Sequence, residues 1–207
     1  METVSLGALE WGVASSVLPG ESQSGDHYVV CAFPDGVLVA VVDGLGHGDQ
    51  AAAAAKKAVG VLEASAQEPL IALVRRCHEE LTATRGVVMS VASFSISYGL
   101  MTWLGVGNVQ GVLRHSGSQK PKPPEVLLLR AGVVGMFLPP LAAAVLPVLP
   151  GDILIFASDG IRGEFAQAPL EADTLQKAAE NILSQFAKGN DDAVVLVAKF
   201  LGGDRHE

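Results

Sequence analysis

The chain has 207 residues, 49% of them apolar, with a net charge of −8 and a pI ≈ 5.1. That length supports a full core in one domain, or at most two small ones. The acidic balance argues against a nucleic-acid-binding surface, which needs basic patches, and suits a protein that collects divalent cations.

Taken in order, Val4 to Val17 reads as a first strand, ended by Pro19-Gly20. The N-terminal METVSLGALEWG lacks the basic start and long apolar stretch of a signal peptide. A polar loop, Glu21 to Asp26, follows, and His27 to Phe33 resumes as a strand. Pro34-Asp35-Gly36 is a turn signal, so a hairpin feeds Val37 to Val42, a continuous apolar run that reads as a strand buried on both faces. That run ends on Asp43, followed by Gly44-Leu45-Gly46-His47-Gly48. A lone carboxylate at the tip of a buried strand costs several kcal/mol unless it is paired or holds a cation. The three glycines let the backbone turn sharply and come close to whatever Asp43 holds.

Two amphipathic helices come next. Ala51, Ala55, Ala58, Val59 and Leu62 share one face, and after Pro69 the face is Leu70, Leu73, Val74, Cys77 and Leu81. In residues 87–99 the period changes to two, with Phe94, Ile96 and Tyr98 alternating with serines, as in a half-buried strand. Leu100 to Leu113 reads as the next strand, His115 to Pro124 as a flexible loop, and Glu125 to Arg130 as a further strand. Ala131 to Gly151 carries no charge, but Pro139, Pro140, Pro147 and Pro150 exclude an ordinary spanning helix. Residues 133–138 and 141–148 are read as two strands with Pro-rich turns. Ile153 to Ala157 is an apolar strand running into Ser158-Asp159-Gly160. A last helix carries Leu175, Ala178, Ala179, Ile182, Leu183 and Phe186 on one face, with Asp173 and Gln176 resembling a capping box. Asp191-Asp192 then leads into the strand Ala193 to Leu201. Cys31 and Cys77 read as small core residues of a reducing compartment. Roughly ten strands in runs, with helices as one pair and one late helix, favour stacked sheets covered by helices. We expect one domain over 1–207, soluble and cytoplasmic, with no membrane segment.

Three acidic signals share one grammar: Asp43 and Asp159 each end an apolar strand before a glycine, and Asp191-Asp192 precedes one. Asp26, after Ser24-Gly25, opens another strand. Strand ends can gather at one edge of a sheet pair, and hard oxygen ligands without a His or Cys set select Mg²⁺ or Mn²⁺. Each Asp-Gly alone is a common turn dipeptide, so the functional reading rests on the conjunction. Asp35 and Asp152 read as turn residues.

VVDGLGHG, LPGDILIFASDGIRGEF and NDDAVVLVAKF, in that order, with SGDHY at Ser24 to Tyr28, resemble the PPM/PP2C-type serine/threonine phosphatases, and within them the bacterial SpoIIE-like branch. The resemblance runs from Ser24 to Phe200. It implies an α+β fold, a four-layer αββα sandwich of two mostly antiparallel sheets flanked by helices. It also implies hydrolysis of phosphoserine or phosphothreonine by a water activated by two Mn²⁺ or Mg²⁺ ions, with a third ion as an alternative. By motif, Asp43 is the bridging ligand and Gly44 lends its carbonyl. Asp159 and Asp191 are carboxylates of one metal, and Asp26 reaches the other, directly or through water. The catalytic set so implied is Asp43, Asp159 and Asp191.

This chain departs from the family where Val194 replaces the usual Thr and where Leu45 stands two residues after the bridging Asp. His47 is therefore the candidate proton donor or substrate ligand. No Arg precedes Asp26 to bind phosphate, so Arg162 is the substitute candidate. The absence of a sensor segment and GVGN at Gly105 to Asn108 resemble the free-standing feedback phosphatases of stressosomes. The implied partners are phosphorylated STAS-domain proteins or the stressosome scaffold, with Lys120 and Lys122 as a candidate docking loop. The alternatives are a phosphatase of an anti-sigma-factor antagonist in another partner-switching pathway, and an inactive PP2C-like binding module.

Overall fold

The computed structural model describes residues 4–117 and 123–203. Its strands form two antiparallel sheets. The first holds β1 (Val4–Leu6), β2 (Leu9–Ser16), β7 (Gln110–Arg114), β8 (Glu125–Val126), β10 (Ile153–Ala157) and β11 (Ala193–Phe200), in the order β1-β2-β11-β10-β7-β8. The second runs β3 (Asp26–Phe33), β4 (Gly36–Gly44), β5 (Val87–Ser95), β6 (Leu100–Val106) and β9 (Ala144–Pro147). Helices α1 (Asp49–Ala64) and α2 (Leu70–Glu80) cover the second sheet, and α3 (Leu175–Phe186) covers the first. The layers are therefore αββα, as the resemblance implied.

This layering explains the unbroken apolar runs. On β4, Val37, Val39 and Val41 point into the core between the sheets, while Leu38, Ala40 and Val42 meet α1 and α2. On β11, Val194, Leu196, Ala198 and Phe200 face the inter-sheet core, and Ala193, Val195 and Val197 face α3. Each such fully buried Val, Leu or Phe side chain is worth ~1.5–3 kcal/mol of transfer free energy, and each alanine less. β5 is covered in the same way, with Val87, Met89 and Val91 under the helices and Val88, Ala92 and Phe94 between the sheets. The half-buried alternation expected for residues 87–99 thus holds only over Ser93 to Ser95, where Phe94 is buried between two half-buried serines; Ile96 and Tyr98 lie in the turn after β5, and Tyr98 is exposed.

Other expected boundaries shift. Val4 to Val17 is two antiparallel strands joined at Gly7-Ala8. Leu100 to Leu113 is not one strand: β6 belongs to the second sheet and β7 to the first, so the chain changes sheets at Gly107 to Val109. Residues 133–138 make only isolated bridges, Val87 to Val134 and Val133 to Phe137, and the strand expected over 141–148 shortens to β9. Helix α3 is capped by Thr174, whose Oγ1 accepts from Lys177 N–H at 3.1 Å, rather than by Asp173. Gln176 instead stitches α3 to β2: its Oε1 accepts from Val13 N–H (3.1 Å) and its Nε2 donates to Val13 O (2.8 Å).

Both cysteines are free, with Cys77 buried and Cys31 partly so. Asp152 is a buried clasp. It accepts from Ser116 N–H (2.8 Å) and Leu149 N–H (3.0 Å) and pairs with His115 Nδ1 (2.8 Å). The other ring nitrogen of His115 meets Glu125 at 3.0 Å, and hydrogen bonds to Asp152 and Glu125 raise the imidazole pKa. The candidate docking lysines, Lys120 and Lys122, lie outside the described residues. No helix among the described residues is long and apolar enough to cross a membrane.

Candidate functional site

Antiparallel pairing brings the acidic strand ends to one end of the sandwich. Asp26 at the start of β3 and Asp43 near the end of β4 are direct partners across the ladder. From the first sheet, Asp159 follows β10 and Asp191 precedes β11, itself the neighbour of β10. Asp43, Asp159 and Asp191 line one cleft of about 290 Å³, together with Leu45, Gly46, His47, Asn108 and Asn190. Glycine follows both strand-end acids because backbone passes there. A Cβ on Gly44 would stand 2.2 Å from Ala51 O, at the start of α1, and one on Gly160 would stand 1.9 Å from Asp192 O.

The carboxylates repel one another. Burial pushes the Asp43 carboxyl up to about 9, reinforced by the negative charges of Asp26, Asp159, Asp191 and Asp192. Asp26 is pushed up to about 7 by burial, against a hydrogen bond from Ser158 that lowers it and with Asp192, Asp159 and Asp191 adding repulsion. No Lys, Arg or His among the described residues forms an ion pair with Asp26, Asp43, Asp159 or Asp191. Paired buried acids with no cationic side chain are a donor set suited to a hard divalent ion. Among the described residues, no three His, Cys, Asp or Glu side chains yet stand in an ion-holding group. The fit therefore lies in the chemistry and placement of the acids and not in a preformed cage.

Three neutral or spectator groups hold the acids in place. Ser158 Oγ donates to Asp26 Oδ2 (2.6 Å) and accepts from Val194 N–H (2.9 Å), linking the two sheets at the cleft. Asn108, on the turn where the chain changes sheets, donates to Asp159 Oδ2 at 2.7 Å. Asp192 is 3% exposed and accepts from Leu18 N–H and Gly25 N–H, each at 2.7 Å, so it clamps the loop that delivers Asp26. Reading the sequence alone singles out none of these roles, although Asn108 lies in the GVGN segment already noted. Replacing Asp192 by Ala leaves one buried N–H donor (Gly25) and one partly buried donor (Leu18) unsatisfied, at ~1–3 kcal/mol for the first and less for the second, partly offset by relief of the carboxylate repulsion. We expect a net loss of about 3 kcal/mol, hence a drop in melting temperature of ~6–12 °C. A melting curve within a degree of wild type would contradict the clamp.

Of the two candidate substrate residues, His47 lines the cleft, with Nδ1 2.6 Å from Glu21 Oε1 on the rim. Arg162 is not a cleft-lining residue. It donates to Gln185 O and lies over the Phe186 ring, 6.0 Å from the centroid, so it secures the end of α3 and is withdrawn as the phosphate-binding candidate.

The family model for stage II sporulation protein E (SpoIIE) matches residues 34–201. The phosphoserine phosphatase RsbX of Bacillus subtilis (strain 168) is 30% identical over 99 residues, covering 48% of this chain; the match spans about half the length (49%) of that relative. A structure from work on the bacterial stressosome as a modular system adapted to control secondary messenger signaling superposes with a TM-score of 0.84 at 29% identity, over 92% of this chain and 99% of that one. RsbX in complex with magnesium superposes with a TM-score of 0.84 at 19% identity, over 96% and 98% of the two chains.

Proposed function

The chain belongs to the SpoIIE family, and from that premise we propose that it is a Mn²⁺- or Mg²⁺-dependent phosphatase of phosphoserine or phosphothreonine, acting as one domain over residues 1–207. The observation that carries this reading is the facing pair Asp26 and Asp43 on the second sheet, opposed by Asp159 and Asp191 from the first, with no cationic side chain among them. Asp43 would be shared between two ions, the Gly44 carbonyl and Asp26 would serve one of them, and Asp159 and Asp191 the other. When bound, such ions acidify water and neutralise phosphoryl oxygens.

The chain's own residues supply position. Ser158 keeps one Asp26 oxygen turned inward, Asn108 orients the Asp159 carboxylate, and Asp192 fixes the loop before Asp26. Leu45 and His47 flank the mouth, where a seryl or threonyl side chain would enter. Neither cysteine lines the cleft, so the reading involves no thiol nucleophile.

For the substrate, we favour phosphorylated STAS-domain proteins of a stressosome, on the motif resemblance together with the superposition on the structure from stressosome work. The same fold would serve an anti-sigma-factor antagonist in another partner-switching pathway. The test is a side-by-side time course by mass spectrometry with Mn²⁺ present. We expect faster release of phosphate from a phosphorylated STAS-domain scaffold than from an unrelated phosphopeptide. Equal rates would leave the phosphatase standing and remove the stressosome assignment, and no release from either would remove both.

A further inference from the structure

The cleft presents acids to a substrate group that is itself a dianion, and the cation expected to meet it, Arg162, is turned away. Arg85, not itself a lining residue, reaches the cleft's edge at Gly46 from another element. The turn between α2 and β5 is built tightly: Thr84 Oγ1 donates to Leu81 O (2.7 Å) and accepts from Gly86 N–H (3.0 Å). Leu45 N–H donates to Gly86 O at 3.1 Å, which docks this turn onto the loop following Asp43. The docking places Arg85 Nη1 3.1 Å from where a Cβ on Gly46 would be, and Gly46 lines the cleft. The Arg85 side chain is exposed and has no salt bridge or hydrogen bond among the described residues.

Other cations near the cleft are engaged or anchored differently. Lys56 donates to Gln23, and His47 meets Glu21. Arg130 and Lys188 are tied nearby through backbone groups only, Gly107 N–H to Arg130 O and Lys188 N–H to Gly160 O, and their exposed side chains, like that of Arg85, make no salt bridge among the described residues.

We infer that Arg85 is the substrate-binding cation of this cleft, receiving the oxygens of the phosphoryl group at the edge formed by Gly46. A planar guanidinium offers paired donors to phosphate oxygens, and the docked turn holds the Arg85 backbone against the loop that carries Gly46. The inference rests on the phosphatase reading.

The test compares wild type, Arg85→Ala, Arg85→Lys and Arg75→Ala, the last removing an equal charge from the exposed face of α2. With p-nitrophenyl phosphate and Mg²⁺, Arg85→Ala should raise KM and the inhibition constant of inorganic phosphate about tenfold. Its kcat should change much less, as expected for binding shared by ground and transition states. Arg85→Lys should recover part of the loss, and Arg75→Ala should behave as wild type. In parallel, the rise in melting temperature caused by inorganic phosphate with Mg²⁺ should shrink in Arg85→Ala. Equal KM, phosphate inhibition and phosphate-induced melting shift in wild type and Arg85→Ala would overturn the inference. Because the melting shift needs no turnover, a wild type without phosphatase activity would refute the functional reading while the shift still decides Arg85. An effect on phosphopeptides alone, with p-nitrophenyl phosphate and inorganic phosphate unaffected, would also overturn it, since Arg85 would then read a flanking residue.

Discussion

Asp43→Asn is expected to lower hydrolysis of p-nitrophenyl phosphate by ~100-fold or more, because even an outer-shell partner of a metal ligand is worth ~10–100-fold, and a carboxylate shared by two ions serves both. The substitution is nearly isosteric at the tip of β4, where Val41 and Val42 are fully buried and the backbone stays paired to β3 and β5. It also removes one charge from a cluster in which Asp26, Asp159, Asp191 and Asp192 all push the Asp43 carboxyl upward. In EDTA the variant should therefore melt no lower than wild type, which separates loss of chemistry from loss of fold. His47→Ala should cost much less, since its Nδ1 is turned to Glu21. Wild-type turnover in Asp43→Asn would sink the assignment of Asp43 as shared ligand. Inactivity of His47→Ala would promote that residue to proton donor or substrate ligand.

What was legible in the chain follows from how locally each feature is encoded. The runs Val37 to Val42 and Ala193 to Phe200 are apolar at every position because each strand lies between a helical layer and another sheet, and that pattern is visible without coordinates. The faces of α1 and α2 are visible for the same reason. The acids were legible because a carboxylate at the end of an apolar run conflicts with its surroundings, and such conflicts mark function. Leu100 to Leu113 misled because its one local break, Gly107-Asn108, does not say where the chain goes next: only the partners β5 and β10 assign β6 and β7 to different sheets. Asn108 was hidden with that crossing. Asp192 and Ser158 were hidden because their partners, Leu18, Gly25 and Asp26, are distant in sequence. Arg162 sits one residue beyond Ile161, within reach of the SDG segment along the chain, but its side chain follows α3 away from the cleft.

Divalent ions should stabilise the protein, and increasingly so as pH rises. Asp26 and Asp43 titrate at about 7 and about 9 in the folded protein against a reference of 3.8. Between the reference value and those values the folded chain binds more protons than the unfolded one, so stability falls with increasing pH. In EDTA the melting temperature is therefore expected to decline from about pH 5 to about pH 8, as these acids are forced to ionise beside one another. Loss of the His115 interaction with Asp152 and Glu125 acts in the same direction, because its raised pKa confers stability that disappears as the ring deprotonates. His27, lowered chiefly by burial and further by Lys56, opposes it below neutrality. Asp43→Asn isolates the cluster, and its EDTA profile should be flatter than that of wild type. With Mn²⁺ the order reverses, because ligation requires the ionised carboxylates. At a free ion concentration of ~100 times Kd the gain is ~2.7 kcal/mol, or ~5–10 °C for a chain of this size. The gap between the Mn²⁺ and EDTA melting curves should widen from pH 5 to pH 8 in wild type and be smaller at each pH in Asp43→Asn. A wild-type melting temperature that ignores Mn²⁺ across that range would refute an ion site made by Asp26, Asp43, Asp159 and Asp191, whatever the activity of the protein.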